Sequence, residues 1–194
     1  GFWPADYANN KTFFTVTKEA GDDTPELEKF TSCGAVNEAI LAGKTSFVFA
    51  PEDWVEVTYV NGTSVFAQDA TGGVLLYGTG FESAGAYGGL RIKGSLTCTA
   101  TLFRGTPEIT AIKAEDFATI QKDYNAAYPC INLTLSELAN NFSKYLNCKV
   151  KVSGVTVKDG WQGTTDRNGV VCTDDAELAV YCKVNTDTLQ VKTG

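Results

Sequence analysis

The strongest constraint on the fold is that the chain carries one pattern twice. Thr31 to Gly43, "TSCGAVNEAILAG", reads as a helix: a Ser/Thr start, apolar residues at Val36, Ala39 and Ile40, and a glycine stop. Thr134 to Leu146, "TLSELANNFSKYL", reads as another. Thr134 and Glu137 form a capping box, and Leu135, Leu138, Phe142 and Tyr145 follow the helical period. Each helix is followed by strand and turn, "WVEVTYVNGTSVFAQDATGGVLLYG" from Trp54 and "VKVSGVTVKDGWQGTTDRNGVVCTDDAELAVYC" from Val150. Val57, Tyr59, Asn61 and Gly62 align with Val155, Val157, Asp159 and Gly160 at an offset of 98. Beyond an insertion at Gln162 to Arg167, Phe66, Asp69, Leu76 and Tyr77 align with Val171, Asp174, Val180 and Tyr181 at offsets of 104 or 105. A unit of this length implies a duplicated small β domain rather than a solenoid.

The first copy continues through "GGLRIKGSLTCTATLFRGTPEITAI", Gly88 to Ile112, as further strands joined at Arg104 to Pro107. Short antiparallel strands with one apolar face bury it best by curling into a Greek-key barrel, of which the OB-fold is the commonest. The expected class is therefore all-β with minor helix: two OB-fold-like, five-stranded Greek-key barrels in tandem. The second stops at "TDTLQVKTG", where its fourth strand is due, so it is truncated or completed from elsewhere, for instance by the N-terminal "TFFTV". The expected divisions are 1–30, an N-terminal strand ("KTFFTVT") and loop; 31–115, the first unit; and 116–194, the second.

Composition narrows function. Hydrophobic residues at 43% and charged residues at 20% suit a globular chain, and no run reaches the length of a membrane helix. The chain lacks methionine and begins Gly-Phe-Trp-Pro, which fits removal of an upstream secretion signal. A net charge of −7 disfavours nucleic acid, and Lys149, Lys151 and Lys158 are spaced as the outward face of a strand. The absence of histidine removes His-based acid, base and metal chemistry, and no cofactor motif is present. Without histidine or a C-x-x-C, no zinc site is expected. Six cysteines leave two readings open, buried free thiols or disulfides, for which Cys172 with Cys182 and Cys130 with Cys148 have suitable spacing.

The glycines of "QDATGG" read as positive-φ residues at a hairpin reversal, since neither a following helix nor a P-loop lysine supports a phosphate site. Glu52, Asp53, Asp69, Asp174 and Asp175 are the acids available for glycoside hydrolysis, but neighbours on a strand face opposite ways. The residues most open to a ligand are Trp54, Tyr59, Gln68, Asp69, Tyr87 and Trp161, aromatics beside turns and amide or carboxylate groups that would suit a sugar. Burial of the tryptophans in a core or interface competes with that role.

The succession of a helix, a V-x-V strand, an Asn/Asp-Gly turn, "QDATGGVLLY", "GGLRIKGSLT" and "LFRGTPEIT" resembles a family of OB-like modules. These modules, of unknown biochemical function, occur in tandem in exported lipoproteins and cell-surface proteins of gut bacteria. The resemblance spans Thr31 to Ile112 and part of the chain after Thr134. It implies an exported, periplasmic or cell-surface protein with a lipid anchor upstream, a non-enzymatic binding or structural role, and carbohydrate or another envelope protein as partner. It carries no catalytic residues.

Overall fold

A computed structural model describes residues 26–78, 80–81, 83–124, 130–160 and 168–181. The strand expected at Lys11 to Thr17, Trp161 and Cys182 lie outside the described residues. The protein is mostly β. β1 (Lys29–Phe30), α1 (Cys33–Leu41) and β2 (Ser46–Phe49) lead into a meander of β3 (Val55–Asn61), β4 (Ser64–Gln68) and β5 (Gly73–Tyr77). Then come β6 (Leu90–Lys93), β7 (Leu96–Phe103), β8 (Thr106–Thr110), a short helix α2 (Ala114–Thr119) and β9 (Gln121–Tyr124).

These nine strands form one sheet in the order β1-β2-β7-β8-β5-β4-β3-β6-β9. Strands β6 and β7 lie far apart in that order but are consecutive in the chain, joined at Gly94 and Ser95. β6 pairs with β3 and β7 with β8, so the joint makes the sheet curl back on itself. At the bend a Cβ on Gly94 would lie 2.7 Å from Ile120 Cγ2, so only glycine lets the chain turn against α2's end. The β7–β8 hairpin turns through Arg104 and Gly105 at φ 50° and 84°, the two positive angles of a tight two-residue reversal.

Alternation along the strands decides what lies inside. Val55, Val57, Val65, Ala67, Val74, Leu76, Ile92, Cys98, Ala100 and Ile109 are buried together, with Val36 and Ile40 of α1 and Phe47 and Phe49 of β2. Phe81 and Phe117 meet edge to face with centroids 5.0 Å apart. Each such side chain contributes about 1.5–3 kcal/mol through burial. β9 pairs with β6, so the first sheet reaches Tyr124, past the expected boundary at 115.

The second copy opens with β10 (Ile131–Leu133), α3 (Leu135–Asn140) and β11 (Val150–Val152), followed by β12 (Thr156–Gly160), β13 (Asn168–Cys172) and β14 (Glu177–Tyr181). Its strands and helix follow the order of β1, α1 and β2 to β5. β10 and β11 are parallel, as are β1 and β2, and β12–β13–β14 is a meander like β3–β4–β5. Both meanders slip register in the first strand, between Val57 and Tyr59 and between Val157 and Asp159.

These matching bulges correct the alignment: Val57 corresponds to Val157, not Val155, an offset of 100. In the next hairpin Ser64 opposes Tyr77 and Asn168 opposes Tyr181, an offset of 104 that pairs Asp69 with Thr173 rather than Asp174. The same offset relates the turns, where Asp69 N donates to Gly72 O and Thr173 N to Ala176 O. The capping box at Thr134 and Glu137 forms, but the helix ends at Asn140 and tightens into a 3-10 turn over Phe142–Tyr145. That change of winding leaves Phe142 exposed instead of on the expected apolar stripe.

The Cys98 thiol lies in the interior of the first sheet, and burial pushes its pKa up to about 12. Once unfolded, the thiol ionises at its ordinary value of 9.0, so between these values the folded state holds the extra proton. This contribution is complete below pH 9.0 and is lost as pH climbs toward 12. Thermal melts between about pH 8 and about pH 10.5 should show a falling Tm, with a shallower fall in Cys98→Ala.

Candidate functional site

The turn between β4 and β5 gathers three parts of the chain. Gln68, only 2% exposed, accepts a hydrogen bond at Oε1 from Lys149 N (2.7 Å). Asp69 Oδ1 accepts from Thr71 N (2.7 Å), Thr71 Oγ1 (2.6 Å) and Gly72 N (3.1 Å). Its Oδ2 accepts from Cys33 N at 2.8 Å, and Thr71 Oγ1 accepts from Gly34 N at 2.8 Å. The first two N–H groups of α1, which have no partner within the helix, are thus capped by a turn 36 and 37 residues away. A carboxylate at a helix N-terminus is also favoured by the helix dipole. In this place Asp69 stands where an external anion would bind.

The glycines of the turn have a different reason from the one expected. Neither Gly72 nor Gly73 has a positive φ. A Cβ on Gly72 would lie 3.1 Å from Gly34 Cα, and one on Gly73 would lie 2.5 Å from the carbonyl carbon and oxygen of Asn147. Both are glycine because other backbone presses directly on them. Asn37 fastens the same junction, its Nδ2 donating to Gly73 O (2.5 Å) and Leu146 O (3.3 Å), while Asn147 Nδ2 donates to Pro107 O at 2.9 Å. In the second copy Ala176 and Glu177 replace these glycines, and the polar pair is inverted: Thr173 Oγ1 donates to Asp175 Oδ1 at 2.8 Å.

Beside this junction a groove of 250 Å³ is lined by Trp54, Glu56, Gln68, Asp69, Ala70, Cys130 and Ile131. It unites Trp54, Gln68 and Asp69 of the sequence candidates. Tyr59 is in a separate hollow of 300 Å³ with Phe66, Cys148 and Lys149. Tyr87 stands apart again, its ring centroid 6.1 Å from that of Tyr124, so the five described candidates do not form one site.

Sequence reasoning missed Glu56, Arg91 and Asp123. Cross-strand register sets Gln68 opposite Glu56, Glu56 opposite Arg91, and Arg91 opposite Asp123, a polar row over four strands. Arg91 pairs with Asp123 at 2.5 Å and stacks its guanidinium over Trp54, 5.3 Å from the ring centroid. The hydrogen bond from Arg91 holds the Asp123 carboxyl below its ordinary range. The outward Arg91 and Lys93 in "LRIK" were the available signal; the partner strand was not readable.

The acids do not assemble. Glu52 and Asp53 are exposed before β3, Asp69 is held in the turn, and Asp174 and Asp175 are exposed at the turn before β14. The described cysteines are free thiols, so Cys130 and Cys148 are not bridged. Cys130 lines the Trp54 groove, whereas Cys148 Sγ donates to Leu146 O, which directs the two thiols differently. Cys172 is also free, and its suggested partner Cys182 lies outside the described residues. Burial, aided by the Asp69 charge, raises the Cys33 thiol well above its usual pKa and Cys148 to about 11, so neither supplies a thiolate near neutral pH.

No family model, curated protein or solved structure matches the chain.

Replacing Asp69 by alanine leaves the first N–H of α1 without its acceptor, while Ser32 still caps Ala35 N, and should cost about 1–2 kcal/mol in urea unfolding. Gly73→Ala drives a methyl into Asn147 and should cost about 1–3 kcal/mol, whereas Gly62→Ala, with open space around it, should cost only about 1 kcal/mol from its positive φ.

Proposed function

We propose that this chain is a non-enzymatic structural or binding module of an exported cell-envelope protein, built from two OB-like units of which the second is incomplete. The OB reading rests on strand pairing. The meander β3–β4–β5, the parallel contact of β5 with β8, and the antiparallel return of β8 to β7 and of β6 to β3 follow the Greek-key order of a five-stranded OB barrel.

One observation carries the structural role. OB barrels take elongated ligands on the face of their second and third strands, here β4 and β5. On that face Asn147 and Cys148 lie directly against Gly73, and Lys149 occupies the Gln68 amide. A segment of the second unit, between α3 and β11, therefore covers part of the surface on which such barrels bind. The polar side chains of the turn are engaged, Asp69 and Thr71 with α1 and Gln68 with Lys149 of the second unit, which supports a scaffold before a catalyst.

A second reading, carbohydrate recognition, is favoured by Trp54 in the open groove with Glu56 beside it. An aromatic ring stiffened by Arg91 and flanked by polar groups suits a sugar ring. Screening the full chain and Trp54→Ala on a glycan array separates the readings. Binding lost in Trp54→Ala identifies a glycan module, and no bound glycan leaves the structural role. The structural reading also requires that single-stranded DNA be unbound even at low salt, where counterion release most favours a complex; a salt-sensitive shift of an oligonucleotide would overturn it.

A further inference from the structure

The Trp54 groove and the Tyr59 hollow lie on the same face of one hairpin. Glu56 opposes Gln68 and Tyr59 opposes Phe66 across the β3–β4 ladder, and Phe66 and Gln68 stand two residues apart in β4. Side chains at that spacing point the same way, so the four share a face opposite the one on which Val57, Val65 and Ala67 are buried. Glu56 and Gln68 line the first space, Tyr59 and Phe66 the second. Both therefore have the β3–β4 hairpin as their floor.

They also share a wall. Cys130 and Ile131 border the Trp54 groove, whereas Cys148 and Lys149 border the Tyr59 hollow. These two stretches are joined, Ile131 N donating to Lys149 O at 3.0 Å. The bond from Lys149 N to Gln68 Oε1 marks where the two spaces meet. The wall rests on β4 at Gln68 and on β5 at Gly73, and β3 carries the floor from one space to the other.

An aromatic ring stands at each end. Trp54 is half-buried, with Arg91 over its ring, and Tyr59 is 54% exposed and inclined at 33° to Phe66. Five residues along a strand separate the two by about 15 Å, a distance for several linked rings rather than one. Glu56 at the Trp54 end, and Asn61 with Ser64 at the Tyr59 end, offer polar groups for hydroxyls. An anion gains little here, since Glu56 and Asp69 border the Trp54 end and the nearby Arg91 is already paired with Asp123.

We propose that the two hollows are the ends of one groove that binds a linear, neutral oligosaccharide along β3, its sugar rings resting on Trp54 and Tyr59. A floor with few polar groups, at the contact of two units, is a usual place for a ligand. The inference rests on the carbohydrate reading above and adds to it a second ring-binding position and a required ligand length.

The test is isothermal titration of the full chain with the hexasaccharides and disaccharides of β-1,4-glucan, β-1,4-mannan, β-1,4-xylan and α-1,4-glucan. At least one hexasaccharide is expected to bind about tenfold or more tightly than its disaccharide. Trp54→Ala and Tyr59→Ala should each weaken that binding by about tenfold or more, and Asn61→Ala, at the exposed hairpin end, by about threefold. Tyr59→Phe, which keeps the ring, and Tyr87→Ala, away from both hollows, should leave it unchanged. Unchanged thermal melts check that each variant is folded. No binding of any hexasaccharide, or binding indifferent to Trp54→Ala, overturns both this proposal and the carbohydrate reading. Binding lost in Trp54→Ala but kept in Tyr59→Ala and Asn61→Ala, or equal affinity for disaccharide and hexasaccharide, overturns the extended groove alone and leaves a single-ring site at Trp54.

Discussion

The carboxylate of Asp69 is the point on which the arrangement depends. It satisfies the backbone of its own turn and the first N–H of α1 together, so the helix and the β4–β5 hairpin cannot move independently. Because Gly34, Gly72 and Gly73 have no side chains, the turn, the helix and the Asn147 segment approach at backbone distance. Asn37 and Gln68 then hold that segment by its main chain. A side chain at any of these glycines would separate what the hydrogen bonds join.

This junction also accounts for the character of the surface nearby. A helix N-terminus, two thiols, a carboxylate and an amide lie close together, which are the ingredients of many reactive sites. Here the helix end is capped by the carboxylate, the amide oxygen holds a backbone N–H, and the thiols are kept protonated by burial beside that charge. The carboxylate that would do chemistry if it were unpaired serves instead to hold α1 to the turn, and the amide holds the Asn147–Lys149 segment beside them. Trp54 and the Arg91–Asp123 pair, at the rim, are what this part of the molecule leaves toward solvent.

Much of the fold was legible because repetition and alternation are local. Both helix starts, the hairpin at Arg104–Gly105 and the meander in each copy follow from residue type and spacing. The alignment slipped by two residues in the first strand of the meander, since a shift of two keeps the same side chains on the same face and leaves the apolar pattern unchanged. The site was less legible. Trp54, Gln68 and Asp69 were found from their types, but Glu56, Arg91 and Asp123 join them only through ladders with β6 and β9. Neither ladder has a local signature.

By itself the sequence determined a mostly β chain, a helix-then-meander pattern met twice, and the exclusion of histidine chemistry, since these depend on composition and periodicity. Tertiary structure alone decided what "QDATGG" is for. Its glycines looked like turn residues because φ is a local property, yet their reason is steric contact with Gly34 and Asn147, which are distant in the chain. It also decided that two similar meanders differ in burial, because whether a valine lies inside depends on the strand laid across it and not on the strand that carries it.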